Sequence, residues 1–231
     1  MDIMNGLLGF GDKLYQAFLV EDRWRLYLDG LGVTLGITLG AICISTVLGM
    51  VLCLMKMSRH RILRWPAQAY IDIIRGIPVV VQLLIMYNVV LLNVTDNKMV
   101  VAVIAFGLNS SAYMAEIYRS GINAVDPGQM EAGRSLGLGY MDTMRFIVIP
   151  QAFKAILPSL GNEFITLLKD TSLISVVGGK EIVYFAQAII TRTYETMYPY
   201  LITAVMYLIM VLIFTWLQSK LERRLRQSDR R

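Results

Sequence analysis

The residues able to do chemistry in this chain are few, and they sit in unusual places. Glu163 lies in a stretch whose nearest charged neighbours are Lys154 and Lys169. A carboxylate held at that depth in an apolar segment costs about 2.5–3.5 kcal/mol on insertion scales, so it must face a water-filled cavity or a partner rather than lipid. Gln82 and Asn109 are polar groups inside two other apolar runs, and each needs a hydrogen-bond partner there. Glu163 either lines a solute path or bonds to another helix, for instance through Asn109 or Gln82. No enzymatic set accompanies them. There is no G-x-x-x-x-G-K-[ST] phosphate loop, because Gly178-Gly179-Lys180 lacks the first Gly and is followed by Glu181. H-E-x-x-H, C-x-x-C and a Ser/His/Asp set are absent as well, so neither a catalytic nor a metal site is expected. Cys43 and Cys53 share one apolar run and read as small hydrophobes. His60, the single histidine, sits in a basic loop and reads as solvated.

The longest polar stretch between apolar segments is Asp126–Pro150, DPGQMEAGRSLGLGYMDTMRFIVIP. Asp126 can cap a helix that has Pro127 at its first position and Gln129 at N3, resembling a capping box. The helix should end near Leu136, with Gly137 able to take positive φ. A turn follows, then a second helical segment leading to Pro150.

The elements that position these residues are membrane spans. The 231 residues are 56% hydrophobic and 17% charged, against about 45–50% and about 25% in soluble domains. Uncharged apolar runs predict spans at Gly30–Met55, Gly76–Thr95, Met99–Ala115 and Met197–Ser219, with a less obvious one at Ala152–Val177. The fold class expected is an all-α integral membrane protein with about five transmembrane helices. Residues 1–29 are read as an extracytoplasmic segment without a signal peptide, residues 30–220 as the transmembrane domain and 221–231 as a basic tail. Gly32, Gly36 and Gly40, then Ser45 and Gly49, form a small-residue stripe suited to close helix packing, or reflect only the frequency of Gly in such helices. Ile182–Thr191 is too short to span and is read as an extracytoplasmic surface helix.

Glu131-Ala132-Gly133, three residues, Gly137, nine residues, then Ile147-x-Ile149-Pro150 resembles the EAA loop of ABC-transporter permeases. All spacings match; Gly133 and Ile149 replace an Ala and a Leu of that pattern. Arg75-Gly76-Ile77-Pro78 with Gln82 resembles a shorter motif of the polar amino acid branch. The resemblance implies the type I importer permease fold and a cytoplasmic coupling helix, and assigns ATPase coupling to Glu131, Ala132, Gly133 and Gly137. In that reading the small residues admit a partner backbone, Glu131 offers an acceptor and Gly137 sharpens the exit. Glu163, with Gln82 and Asn109, would line the substrate path and meet the α-ammonium of a polar amino acid. The implied partners are an ABC ATPase dimer, a second permease subunit, an extracytoplasmic amino-acid-binding protein and the lipid bilayer, with no nucleic acid. No cofactor is expected on this chain; ATP and Mg would sit on the ATPase. The competing readings are an importer of a different small solute and a non-transporting membrane scaffold.

Charge placement sets the expected orientation. With the tail in the cytoplasm of a bacterial cell, the inner loops hold thirteen Lys/Arg and the outer segments six. The positive-inside rule then puts the N-terminus outside and the Asp126–Pro150 loop inside.

Overall fold

The computed structural model describes residues 11–228, and every regular element among them is helical. Residues 11–18 form one helical stretch. It is followed by α1 (Arg23–Met57), α2 (Arg61–Gly76), α3 (Val79–Ile85), α4 (Lys98–Asn123), α5 (Pro127–Ser135), α6 (Tyr140–Thr143), α7 (Ile149–Asp170), α8 (Ile182–Thr193) and α9 (Met197–Ser228). Helices α1, α4 and α9 are each long and apolar enough to cross a membrane. Two bent pairs, α2 with α3 at 105° and the segment containing α7 with α8 at 44°, bring the total to five where each pair counts as one span.

The first span begins earlier than its uncharged run. Arg23 is buried and its Nη1 donates to the Gln16 carbonyl at 2.7 Å. This bond ties the 11–18 stretch to α1 across Glu21 and Asp22, both at φ 55°. Positive φ is costly for residues with a Cβ, so the corner persists only because its surroundings fix it. A Lys13–Glu195 ion pair at 2.7 Å closes the same end.

Helices α1 and α4 share the largest interface in the bundle. The glycine stripe divides there. A Cβ on Gly36 would lie 2.7 Å from Met99 Cε, one on Gly40 2.9 Å from Val103 Cγ1, and one on Gly49 2.5 Å from Met114 Cβ. Gly32 faces open space. Close backbone approach is thus required at Gly49, where Ser111 O and Ala115 N lie at 3.0 and 3.2 Å; Gly40 meets the Val103 side chain and Gly36 only the flexible end of Met99. The third span outruns Met99–Ala115 for a different reason. Asn97 caps α4 through Met99 N and Val100 N, and at the far end Glu116 is paired with Lys56 of α1 and with Arg119 at 2.8 Å. Charges neutralised inside the bundle need not end the helix.

The second span is not one helix over Gly76–Thr95. The stretch before it, Arg61–Gly76, is itself helical up to Gly76. Pro78 removes a donor and pushes Ile77 to φ −108°, ψ 132°, which breaks the chain there. Gln82 Nε2 donates to the carbonyls of Ile74 (2.7 Å) and Ile77 (2.9 Å), so the side chain satisfies the broken backbone.

Helix α8 does not lie apart as a surface helix. Ile182, Ala186 and Ile189 are buried in a cluster with Tyr27 of α1, Leu168 of α7 and Ile202 of α9. Ten apolar residues are too few to span alone; α8 follows the preceding helical segment across a 44° bend, with Gly178 at φ 73° between them. Of the two cysteines, Cys53 is buried and Cys43 is exposed.

Candidate functional site

The polar residues of the apolar spans converge on one cavity of about 400 Å³. Its walls come from the α2–α3 break (Arg75 to Val79), from Asn109 and Tyr113 of α4, and from Glu163, Thr166 and Asp170 of α7. Arg75, exposed just before the 105° break, borders the cavity with its guanidinium 5.3 Å from the Tyr113 ring centroid. That distance is within cation–π range. Glu163 Oε1 accepts a hydrogen bond from Ser110 Oγ at 2.6 Å, near the midpoint of α4. One carboxylate therefore both bonds to a neighbouring helix and faces the cavity. Asn109 Nδ2 donates to Gln82 Oε1 at 3.2 Å. Gln82 is buried behind the break, with both ends of its amide bonded within the chain. It sits behind the wall that Asn109 and Glu163 help to form. The chamber thus presents a fixed cation on one side and two carboxylates on another, a layout able to hold a small dipolar solute.

Two charged wall residues carry no direct signal of that role in the sequence. Asp170 reads as an end-of-helix charge, and α7 does end there, yet its side chain borders the cavity. Arg75 reads only as part of a motif; the Pro78 two residues on from Gly76 was the available signal. Glu181 carries no sequence signature of its role. It is fully buried, caps α8 through Tyr184 N at 2.8 Å, and accepts from Tyr207 Oη at 3.0 Å.

The Asp126–Pro150 stretch folds as a knuckle. Asp126 Oδ1 accepts from Gly128 N at 2.7 Å, which caps α5. Gln129 does not close a capping box; its Oε1 accepts from Gln151 Nε2 at 3.0 Å. The exit is a Schellman turn: Leu138 N donates to Gly133 O (3.1 Å), Gly137 N to Arg134 O (3.0 Å), and Gly137 takes φ 83°. Gly133 is buried, and a Cβ there would lie 2.5 Å from Thr143 Cγ2. What packs closely against Gly133 is this chain's own side chains, Thr143 and Ile147. Glu131 and Ala132 are exposed, as are Leu136 (80%), Met141 (75%) and Phe146 (64%).

A bent-helix bundle with a polar cavity between its helices and an exposed knuckle fits a polytopic membrane permease. The chain belongs to the family described as binding-protein-dependent transport system inner membrane component, whose profile matches residues 32–227. It is 40% identical over 204 residues to the arginine transport system permease protein ArtQ of Bacillus subtilis, covering 87% of this chain and 93% of that protein. It is 37% identical to the L-cystine transport system permease protein TcyB of the same organism, covering 94% of each. Among solved structures, a crystal structure of an amino acid ABC transporter with histidines superposes with a TM-score of 0.83 at 45% identity, covering 87% of this chain and 94% of that one. The resemblance carried by the EAA-like spacing is thereby confirmed at family level. The chain is a membrane-spanning ABC permease subunit and not itself an enzyme, and its family implies an ATPase and a solute-binding protein as partners.

Proposed function

We propose that this chain forms the translocation path for a polar amino acid, with the central chamber as the point of passage. The observation that carries this is the grouping of Arg75, Asn109, Glu163 and Asp170 around one cavity. Arg75 would meet the α-carboxylate and Glu163 the α-ammonium, while Asn109 supplies amide polarity at the wall. Gln82 acts behind them by holding the break that presents Arg75. The names of the arginine and cystine permease relatives support an amino acid as solute. Two such permeases, identical or homologous, would pair. An extracytoplasmic amino-acid-binding protein delivers the solute.

The knuckle is the proposed ATPase docking element. Glu131 and Ala132 face outward to meet the partner, while Gly133 and Gly137 shape the knuckle from within. ATP and Mg would bind on two ATPase subunits at the cytoplasmic side, with the N-terminus of this chain outside and its tail inside. Closure of the ATPases would pull the knuckle and shift the bundle between inward- and outward-open states.

Reconstituting the complex and measuring ATPase stimulation by individual amino acids tests the solute. Stimulation by a sugar or an inorganic ion, and by no amino acid, overturns the reading. Labelling of a Cys placed at Ala132 tests the topology: the thiol should react only with reagents that reach the cytoplasm.

A further inference from the structure

Helix α9 has two unlike faces at its C-terminal end. One face continues an exposed apolar row through Val205, Leu208, Leu212 and Ile213 to Trp216. One turn on, Lys220 Nζ stands 5.0 Å over the Trp216 ring centroid. Ser219, Arg223 and Arg224 join these two residues in lining one shallow groove of about 320 Å³. The acid of this segment is turned away: Glu222 is half-buried on the other side, where it accepts from Gln218 Nε2 at 2.9 Å. Among the described residues Lys220, Arg223 and Arg224 form no salt bridge with a carboxylate. The comparable groove on α2, around Arg64 and Trp65, carries its own counter-charge in Asp72.

We propose that the Trp216–Lys220–Arg223–Arg224 face of α9 is a binding site for the headgroup of an anionic phospholipid. The chemistry fits one occupant. Acyl chains lie along the apolar row, the Trp ring sits at the level of the glycerol backbone, and the phosphodiester meets three cations one to two turns further on. A zwitterionic headgroup would bring an ammonium into the same cationic groove. A soluble anion would leave the apolar row above the groove unused. The inference rests on α9 crossing a bilayer and is independent of which solute is carried.

The site has a route to the chamber. From the opposite face of α9, Gln218 Nε2 donates to the Pro158 carbonyl of α7 at 3.0 Å and reaches Asn162 Oδ1 at 3.4 Å. Pro158 cannot donate to its own helix, so α7 is locally weaker there. Asn162 precedes Glu163, the cavity carboxylate. A headgroup that fixes the depth of α9 therefore also fixes the segment of α7 that presents Glu163.

The test uses the full chain in nanodiscs, with Trp24→Phe and Trp65→Phe leaving Trp216 as the sole tryptophan. Its fluorescence is quenched by brominated phosphatidylglycerol or brominated phosphatidylcholine at varied ratios. Quenching should show a preference for the anionic lipid of about tenfold or more, since each cation near the surface adds to the attraction. K220Q/R223Q/R224Q should reduce that preference to near unity, and the charge-keeping K220R/R223K/R224K should retain it. Equal quenching by both lipids with the cations intact overturns the proposal, with no variant needed. Survival of the preference in the Gln variant overturns it as well. So does its abolition by millimolar inorganic phosphate at constant ionic strength, which would make the groove a site for a soluble anion.

Discussion

Gln82 and Asn109 are joined side chain to side chain, Asn109 Nδ2 donating to Gln82 Oε1 at 3.2 Å. The bond links the back of the α2–α3 break to the middle of α4. Through it, the residue that satisfies the broken backbone also positions a residue of the cavity wall.

Gln82→Ala should accordingly destabilise the protein although it removes no wall residue. The carbonyls of Ile74 and Ile77 lose their donor, and an unmet buried polar group costs about 1–3 kcal/mol. The melting temperature of the detergent-purified chain should fall, and uptake should fall for every solute carried. A variant of unchanged stability that shifts selectivity between solutes would contradict this account.

Glu163→Gln separates charge from hydrogen bonding. The amide keeps an oxygen for Ser110 Oγ but loses the negative charge. If the carboxylate meets the solute ammonium, the apparent KM for uptake should rise about tenfold or more, the loss of one charge-assisted bond of about 1.5–3 kcal/mol. Ser110→Ala should have the smaller effect. Equal uptake by Glu163→Gln and the parent chain would remove Glu163 from the path.

Two glycines of α1 make a controlled comparison. A Cβ on Gly30 would lie 2.8 Å from Ile182 N and 2.9 Å from Glu181 C, both backbone atoms that cannot rotate aside. Gly30→Ala should cost about 1–3 kcal/mol of stability by overpacking. Gly32→Ala meets no neighbour and should leave the melting temperature unchanged or slightly higher. Parallel thermal melts of the two variants decide the matter.

Gly133→Ala should distort the knuckle from inside, because its Cβ would strike Thr143. Stimulated ATPase activity in the assembled complex should drop while basal activity of the ATPase persists. Adding Thr143→Ala removes the two nearest opposing atoms, Cγ2 and Oγ1, leaving only the flexible Ile147 Cδ1 at 3.1 Å, and should restore coupling. If Gly133 instead matters because a partner backbone needs the space, the double variant will remain uncoupled.

Glu116 neutralises Lys56 and Arg119 where α1 and α4 leave the apolar region. Glu116→Gln strands a Lys56 side chain that is only 15% exposed, and should cost about 2–4 kcal/mol, toward the value for one partner lost from a buried pair. Lys56→Met combined with Glu116→Leu should recover much of the loss in thermal melts.

The sequence displayed the spans wherever a helix is apolar on all sides, as in α1 and α9, because hydropathy alone decides those segments. It displayed the knuckle because Asp126, Pro127 and Gly137 act through local backbone geometry. What it did not display depends on distant partners. Arg75 and Asp170 meet at one cavity only after the chain breaks at Ile77-Pro78, and α8 looked too short because its bent continuity with α7 is a tertiary fact. Glu181 carries no local signature, since its hydroxyl partner, Tyr207, lies far along the chain. Gly133 was legible as a small residue, but not which surface required it to be small.

Three features within this chain brace the knuckle: the Asp126 cap, the Schellman turn and the Gly133–Thr143 packing. A surface braced from within loses less conformational entropy on docking than a floppy loop would, which favours the affinity of its partner. A stiff plug also conveys displacement with little slack.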